Sequence, residues 1–121
     1  MANRPVEKAL RRDAQRNRER LVASARSLFA SAGIEVSVDE ITRHAGVGMG
    51  TLYRHFTAKE DLVDAVLEGA FEAYVGLARR ALAEEDGWAA FTSFLEEALT
   101  LHAETRCLMD VVATSDRGRA R

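Results

Sequence analysis

Apolar side chains recur every three to four residues through most of the chain, the spacing of packed helices. Leu21, Val22, Ala25, Leu28, Phe29 and Ala32 fall at offsets 0, 1, 4, 7, 8 and 11, one face of a 3.6-residue helix. The pattern starts this helix near Asp13. Gly33 ends it, because glycine takes the left-handed closing conformation without a Cβ clash. Ahead of it, residues 1–12 read as a basic polar arm dominated by Arg4, Lys8, Arg11 and Arg12, where Pro5 discourages an early helix start. Such an arm is as readily a solvated terminus as a binding element.

Ser37-x-x-Glu40 is a capping box and opens a second, short helix with Val38, Ile41 and Ala45 on its buried edge and Gly46 at its end. A further short helix follows from Met49 to Phe56, with Leu52 and Phe56 facing inward. Thr57-x-x-Glu60 spells a second capping box and predicts a long helix over about 58–85. Leu62, Val66, Ala70, Tyr74 and Leu77 mark its inner face, widened by Val63, Leu67 and Phe71. After Asp86-Gly87, the spacing of Trp88, Phe91, Leu95, Ala98, Leu99 and His102 predicts a fifth helix. Glu104-Thr105-Arg106 reads as a joint before a sixth apolar segment, Cys107 to Ala113, in which Cys107 is a small core residue. The nearest approach to a strand, Ile34 to Val38, is too short. The expected fold is all-α: a three-helix head, then a partial helical bundle.

Composition narrows the class. In 121 residues, 47% hydrophobic and 30% charged positions suit one globular unit and exclude a disordered tail. A single cysteine rules out an internal disulfide and points to a reducing compartment. The N-terminus is charged where a secretory signal is apolar, and no apolar run approaches the roughly 18–20 residues of a membrane span, so the expected location is the cytoplasm, with no membrane partner. The net charge of −2 hides an asymmetry: residues 1–60 carry +4 and residues 61–121 carry −6. One part is suited to a polyanion and the other is not.

The stretch from Ser37 to Phe56, SVDEITRHAGVGMGTLYRHF, holds the chemistry. Two short helices meet at a tight turn, Ala45-Gly46-Val47, where glycine lets the chain reverse and Val47 plugs the gap between them. With Leu52 and Phe56 inside, Met49, Gly50, Thr51, Tyr53, Arg54 and His55 lie at the start and outer side of the second helix, as a helix-turn-helix requires. Thr51 can meet a thymine methyl or a phosphate oxygen, and Arg54 a guanine edge or a phosphate. Tyr53 and His55 can donate to phosphates, and Lys59 adds positive charge beside the next helix N-terminus. Ser37 and Val38 complete the candidate DNA-binding set. Two short helices around a glycine also occur as plain packing, which pattern alone leaves open.

The run from Ala45 to Phe56, followed by Lys59-Glu60-Asp61-Leu62, resembles the signature of the TetR family of bacterial transcriptional regulators. Ala25 to Gly33, with Leu28-Phe29, is similar to that family's first helix, so the resemblance covers roughly residues 14–75. It implies a DNA-binding domain over residues 13–58 (motif 37–56), a helical regulatory and ligand-binding domain over 59–121, and the segment Met49 to Phe56 lying in the major groove. Thr51, Tyr53, His55 and Lys59 match positions that contact phosphates or nearby bases; Met49, Gly50 and Arg54 match positions that vary with the operator. The implied function is a ligand-responsive repressor on a palindromic double-stranded DNA operator. Its implied partners are a small-molecule effector and a second copy that sets two recognition helices about 34–36 Å apart.

Departures from the family are visible. Gly48 stands where Ser or Thr is common, and Gly50 costs about 0.5–1 kcal/mol within its helix. The chain also reads as C-terminally shortened relative to members whose last helices form the dimer bundle. Phe71, Tyr74, Trp88, Phe91, Phe94 and Met109 are candidates for lining an effector pocket, although ordinary bundle core explains each of them as well. His44, His55, His102 and Cys107 lack metal-ligand spacing, and no catalytic grouping or cofactor motif is present, so no enzyme, metal or cofactor is expected. The alternative function is a helical interaction module that binds a protein partner or a full-length relative through the exposed face of the fourth to sixth helices. In that case Leu95, Leu99, Leu108, Val111 and Val112 would be uncovered.

Overall fold

The computed structural model describes residues 4–114. Five helices follow one another: α1 (Arg4–Ala32), α2 (Val38–Ala45), α3 (Met49–His55), α4 (Lys59–Ala83) and α5 (Gly87–Thr114), and no strand occurs among the described residues. The all-α class expected from periodicity is the class observed.

Three boundaries differ from the pattern-based reading. α1 begins at Arg4 rather than near Asp13, so most of the expected arm is helical. Pro5 falls in the first turn, where its missing N–H has no helical partner to lose and its fixed φ suits the helix. α4 begins one residue later than the Thr57-x-x-Glu60 spacing predicts. Ala58 is its N-cap, and Asp61 rather than Glu60 reaches back, accepting from the Ala58 N–H at 3.1 Å and the Thr57 hydroxyl at 3.0 Å. The joint expected at Glu104-Thr105-Arg106 is absent. Thr105 is buried and turns its hydroxyl onto the Leu101 carbonyl at 2.9 Å, so α5 runs through as one helix. Its start is set by Asp86, whose carboxylate accepts from the N–H groups of Trp88 at 3.0 Å and Ala89 at 3.3 Å.

The core gathers one stripe from each helix. Leu21, Ala25 and Phe29 of α1 meet Val36 of the following loop, Ile41 of α2, Leu52 of α3 and the adjoining Phe56, and Leu62, Val66 and Leu67 of α4. α5 folds back antiparallel along α4, with Arg80 and Glu97 paired across the two at 2.8 Å, and its far end reaches α1. There Leu108 is fully buried in the same core and Met109 packs against it. Leu108, expected to be uncovered, therefore helps close the head. Leu95 and Leu99 are exposed as expected. The side chains of Cys107, Val111 and Val112 lie outside the described residues.

No described helix is long and apolar enough to cross a membrane. Truncating Leu108 to alanine is expected to destabilise the fold by about 2–4 kcal/mol, as for other buried leucines, whereas Leu99→Ala should stay within about 0.5 kcal/mol. Urea midpoints of the two variants check this; equal midpoints would remove α5 from the head core.

Candidate nucleic-acid interface

Ser37 takes an extended backbone and accepts the Glu40 N–H on its hydroxyl at 3.2 Å, which fixes the start of α2. At the other end Gly46 adopts φ 72° and closes the helix through its N–H to the Arg43 carbonyl at 3.3 Å. The Val47 N–H bonds the Thr42 carbonyl at 3.1 Å while its side chain packs on the core, so the turn cannot swing freely. Gly48 caps α3 with no side-chain bond, and Phe56 ends it, its N–H donating to the Leu52 carbonyl at 2.8 Å.

Burying Leu52 and Phe56 decides what α3 presents. Gly50, Tyr53 (50% exposed) and Arg54 face outward, with Thr51 and His55 half-buried at the flanks. The other four candidates are turned to different tasks. Ser37 uses its hydroxyl in the cap, and Val38 packs against the core. Met49 is half-buried with its sulfur 3.5 Å from the buried Thr42 hydroxyl, which itself donates to the Asp39 carbonyl at 2.8 Å. Lys59 donates its ammonium to the Ile34 carbonyl, tying the start of α4 to the loop between α1 and α2. Five of the nine candidates thus share one outward surface of α3.

Pattern reading missed two supports of this surface. The Arg18 guanidinium of α1 lies 5.3 Å over the Phe56 ring, directly after α3. No local signal in the sequence announces that pair, since its members lie far apart along the chain. Arg43 and Asp39 pair along α2 at i, i+4, a spacing that was open to inspection.

The six pocket candidates are not brought together around one enclosed cavity. Trp88 is 74% exposed, Phe71 57% and Phe91 55%, with the Trp88 and Phe91 rings 6.1 Å apart on the outside of α5. Phe71 lies in a groove along the outer face of α4, and Phe94 in a separate groove between α4 and α5. Tyr74 is half-buried, and Met109 belongs to the head core. The reason is that the spacing of these residues marks two faces of each helix, and among the described residues only one face of each is packed.

Residues 21–66, spanning the last part of α1 through the first part of α4, match the bacterial regulatory proteins of the tetR family. Over those residues the chain is similar to the tetR family.

The tetR-type head is shared with solved and curated relatives. A crystal structure of the TetR transcription regulatory protein from Mycobacterium vanbaalenii is similar over 86% of this chain and 62% of that one, at 42% identity and a TM-score of 0.74. An HTH-type transcriptional regulator of Staphylococcus aureus strain USA300 is 40% identical over 67 residues, which is 54% of this chain and 36% of the relative. The counterpart in strain MRSA252 matches to the same extent. This chain therefore spans only about a third of the length of the curated relatives it matches.

The two glycines of the turn should respond oppositely to substitution. Gly46 has a left-handed backbone, so Gly46→Ala is expected to cost about 1–2 kcal/mol although open space surrounds its Cα. Gly48 has φ −82° and equal space, so Gly48→Ser should gain a few tenths of a kcal/mol by capping α3. Thermal melts that shift in the same direction for both would contradict this account of the turn.

Proposed function

We propose that this chain binds double-stranded DNA by seating α3 in the major groove and acts as a transcriptional regulator. The observation that carries the reading is the outward surface of α3. Gly50, Thr51, Tyr53, Arg54 and His55 combine a gap for close approach, hydrogen-bond donors and one cation making no ion pair within the described fold, on a helix whose other side is buried. Arg54 reads a guanine edge; Thr51, Tyr53 and His55 hold phosphates. Ser37 and Val38 approach the backbone at the α2 N-terminus, where the free N–H groups favour an anion. Lys59 has donors beyond the one that binds Ile34 and adds a phosphate contact, and Met49 sets the position of the first turn of α3.

The finer reading is a ligand-responsive repressor that binds a palindromic operator as a homodimer, with the head within residues 13–58 and the regulatory part from residue 59 onward. It rests on the likeness of residues 21–66 to the tetR family. A second reading, association with a protein through the outer face of α4 and α5, is favoured by the exposed row of Trp88, Phe91, Leu95 and Leu99.

Selection of duplexes from a random pool, followed by anisotropy titration at several salt concentrations, separates the two. DNA reading by α3 gives an enriched sequence and an affinity that falls steeply with salt; a pool that yields no enrichment would overturn it. On the enriched duplex, Arg54→Ala should cost about 1–3 kcal/mol and relax preference at one base pair. Lys59→Ala should weaken every duplex alike and also lower the melting temperature, because it removes the bond to Ile34. An Arg54→Ala variant with equal losses on all sequences would contradict its base-reading role.

A further inference from the structure

Residues 21–60, which hold the helix-turn-helix, carry no net charge. Residues 21–60 hold four Lys or Arg and four Asp or Glu, whereas residues 1–20 hold seven and three. The whole +4 excess of the first half therefore precedes the first core residue, Leu21. Even the four cations of the head are partly committed, since Arg43 pairs with Asp39 and Lys59 with the Ile34 carbonyl. A duplex is bound in large part by neutralising phosphates, and the head alone supplies little of that.

The missing charge sits on a rigid element. From Arg4 to Arg16 every residue of α1 is exposed, so this part of the helix extends beyond the core with no neighbour among the described residues. Arg4, Lys8, Arg11 and Arg12 fall at offsets 0, 4, 7 and 8, one face of the helix, and none of them makes a hydrogen bond or ion pair among the described residues. Arg18 continues the same line at offset 14. Its guanidinium lies over Phe56, immediately after α3, so the line of basic residues leaves the head on the side where α3 ends. Val6 and Leu10 occupy the opposite face.

We propose that the basic face of the α1 extension is a second DNA-binding site, which docks along the phosphate backbone beside the base pairs read by α3. The proposal rests on the DNA-binding reading above. From Arg4 to Arg18 is about 21 Å of helix, about six base pairs of backbone. Because α1 is continuous from this extension into the core through Leu21, Ala25 and Phe29, backbone contacts made by the extension fix the orientation of the head, and α3 supplies the base contacts.

The test compares the full chain with the variant R4A/K8A/R11A/R12A on two long duplexes, one carrying the sequence enriched by selection and one of random sequence. Alanine preserves the helix, and all four sites are exposed, so circular dichroism and the melting temperature should hold. The variant is expected to lose more than about tenfold in affinity on both duplexes at low salt. Its slope of log affinity against log salt should fall by about three to four, with the ratio between the two duplexes unchanged. A slope within about one of the wild type overturns the proposal, including the case where Val6→Glu/Leu10→Glu alters sedimentation of the free protein and marks the extension as a protein contact. Wild-type binding without sequence preference, together with the lost slope, would overturn base reading by α3 and leave the extension as the DNA site. Failure of the wild type to bind either duplex overturns both.

Discussion

A seven-residue helix has no independent stability in water, because the cost of nucleating it is recovered only over longer runs. The outward surface of α3 exists because Leu52 and Phe56 are buried in the same core as Phe29, Ile41 and Leu62. That burial fixes the rotation of α3 about its own axis and hence which five side chains face outward. The caps at Ser37, Gly46 and Asp61 set where the neighbouring helices begin and end, but the buried pair holds α3 in place. The Arg18 contact to Phe56 and the Lys59 bond to Ile34 secure the same region from α1 and from α4.

The electrostatics follow a division of labour rather than a uniform gradient. Within the head, ionic groups are spent largely on the fold: Asp39 on Arg43, Lys59 on a loop carbonyl, Asp61 on a helix start. Beyond it, along the free part of α1, Arg4, Lys8, Arg11 and Arg12 make no ion pair among the described residues. Groups that hold a structure together are poorly placed to hold a ligand, and here the two sets scarcely overlap.

Much of this was legible in residue order. Helical periodicity gave the class, and the Ser37 cap, the Gly46 turn and the inward Leu52 and Phe56 gave the motif with correct handling of its interior. What was not legible depended on distance or on competition between neighbours. Pro5 looked like a barrier, yet a first-turn proline is compatible with a helix. Glu60 and Asp61 both offered a carboxylate to a cap, and only the position of the true N-cap chose between them. Leu108 lay in a segment expected to be uncovered, and its burial became visible only once α5 proved continuous and long enough to return to α1. Met49 and Lys59 had the right chemistry for DNA, but partners at Thr42 and Ile34 claim part of it. Aromatic spacing on α4 and α5 could not distinguish a pocket wall from an outer face.

The return of α5 to the head has a mechanical meaning. α4 stands on the head at Lys59, α5 stands on it at Leu108, and the two meet at the turn through Asp86. Two antiparallel helices packed along each other, with separate feet and a common apex, resist bending where a single projecting rod would not. A displacement applied at the apex cannot be absorbed by tilting α4 alone; it must load the foot at Leu108 as well, and that foot is set in the same packed layer that holds the back of α3.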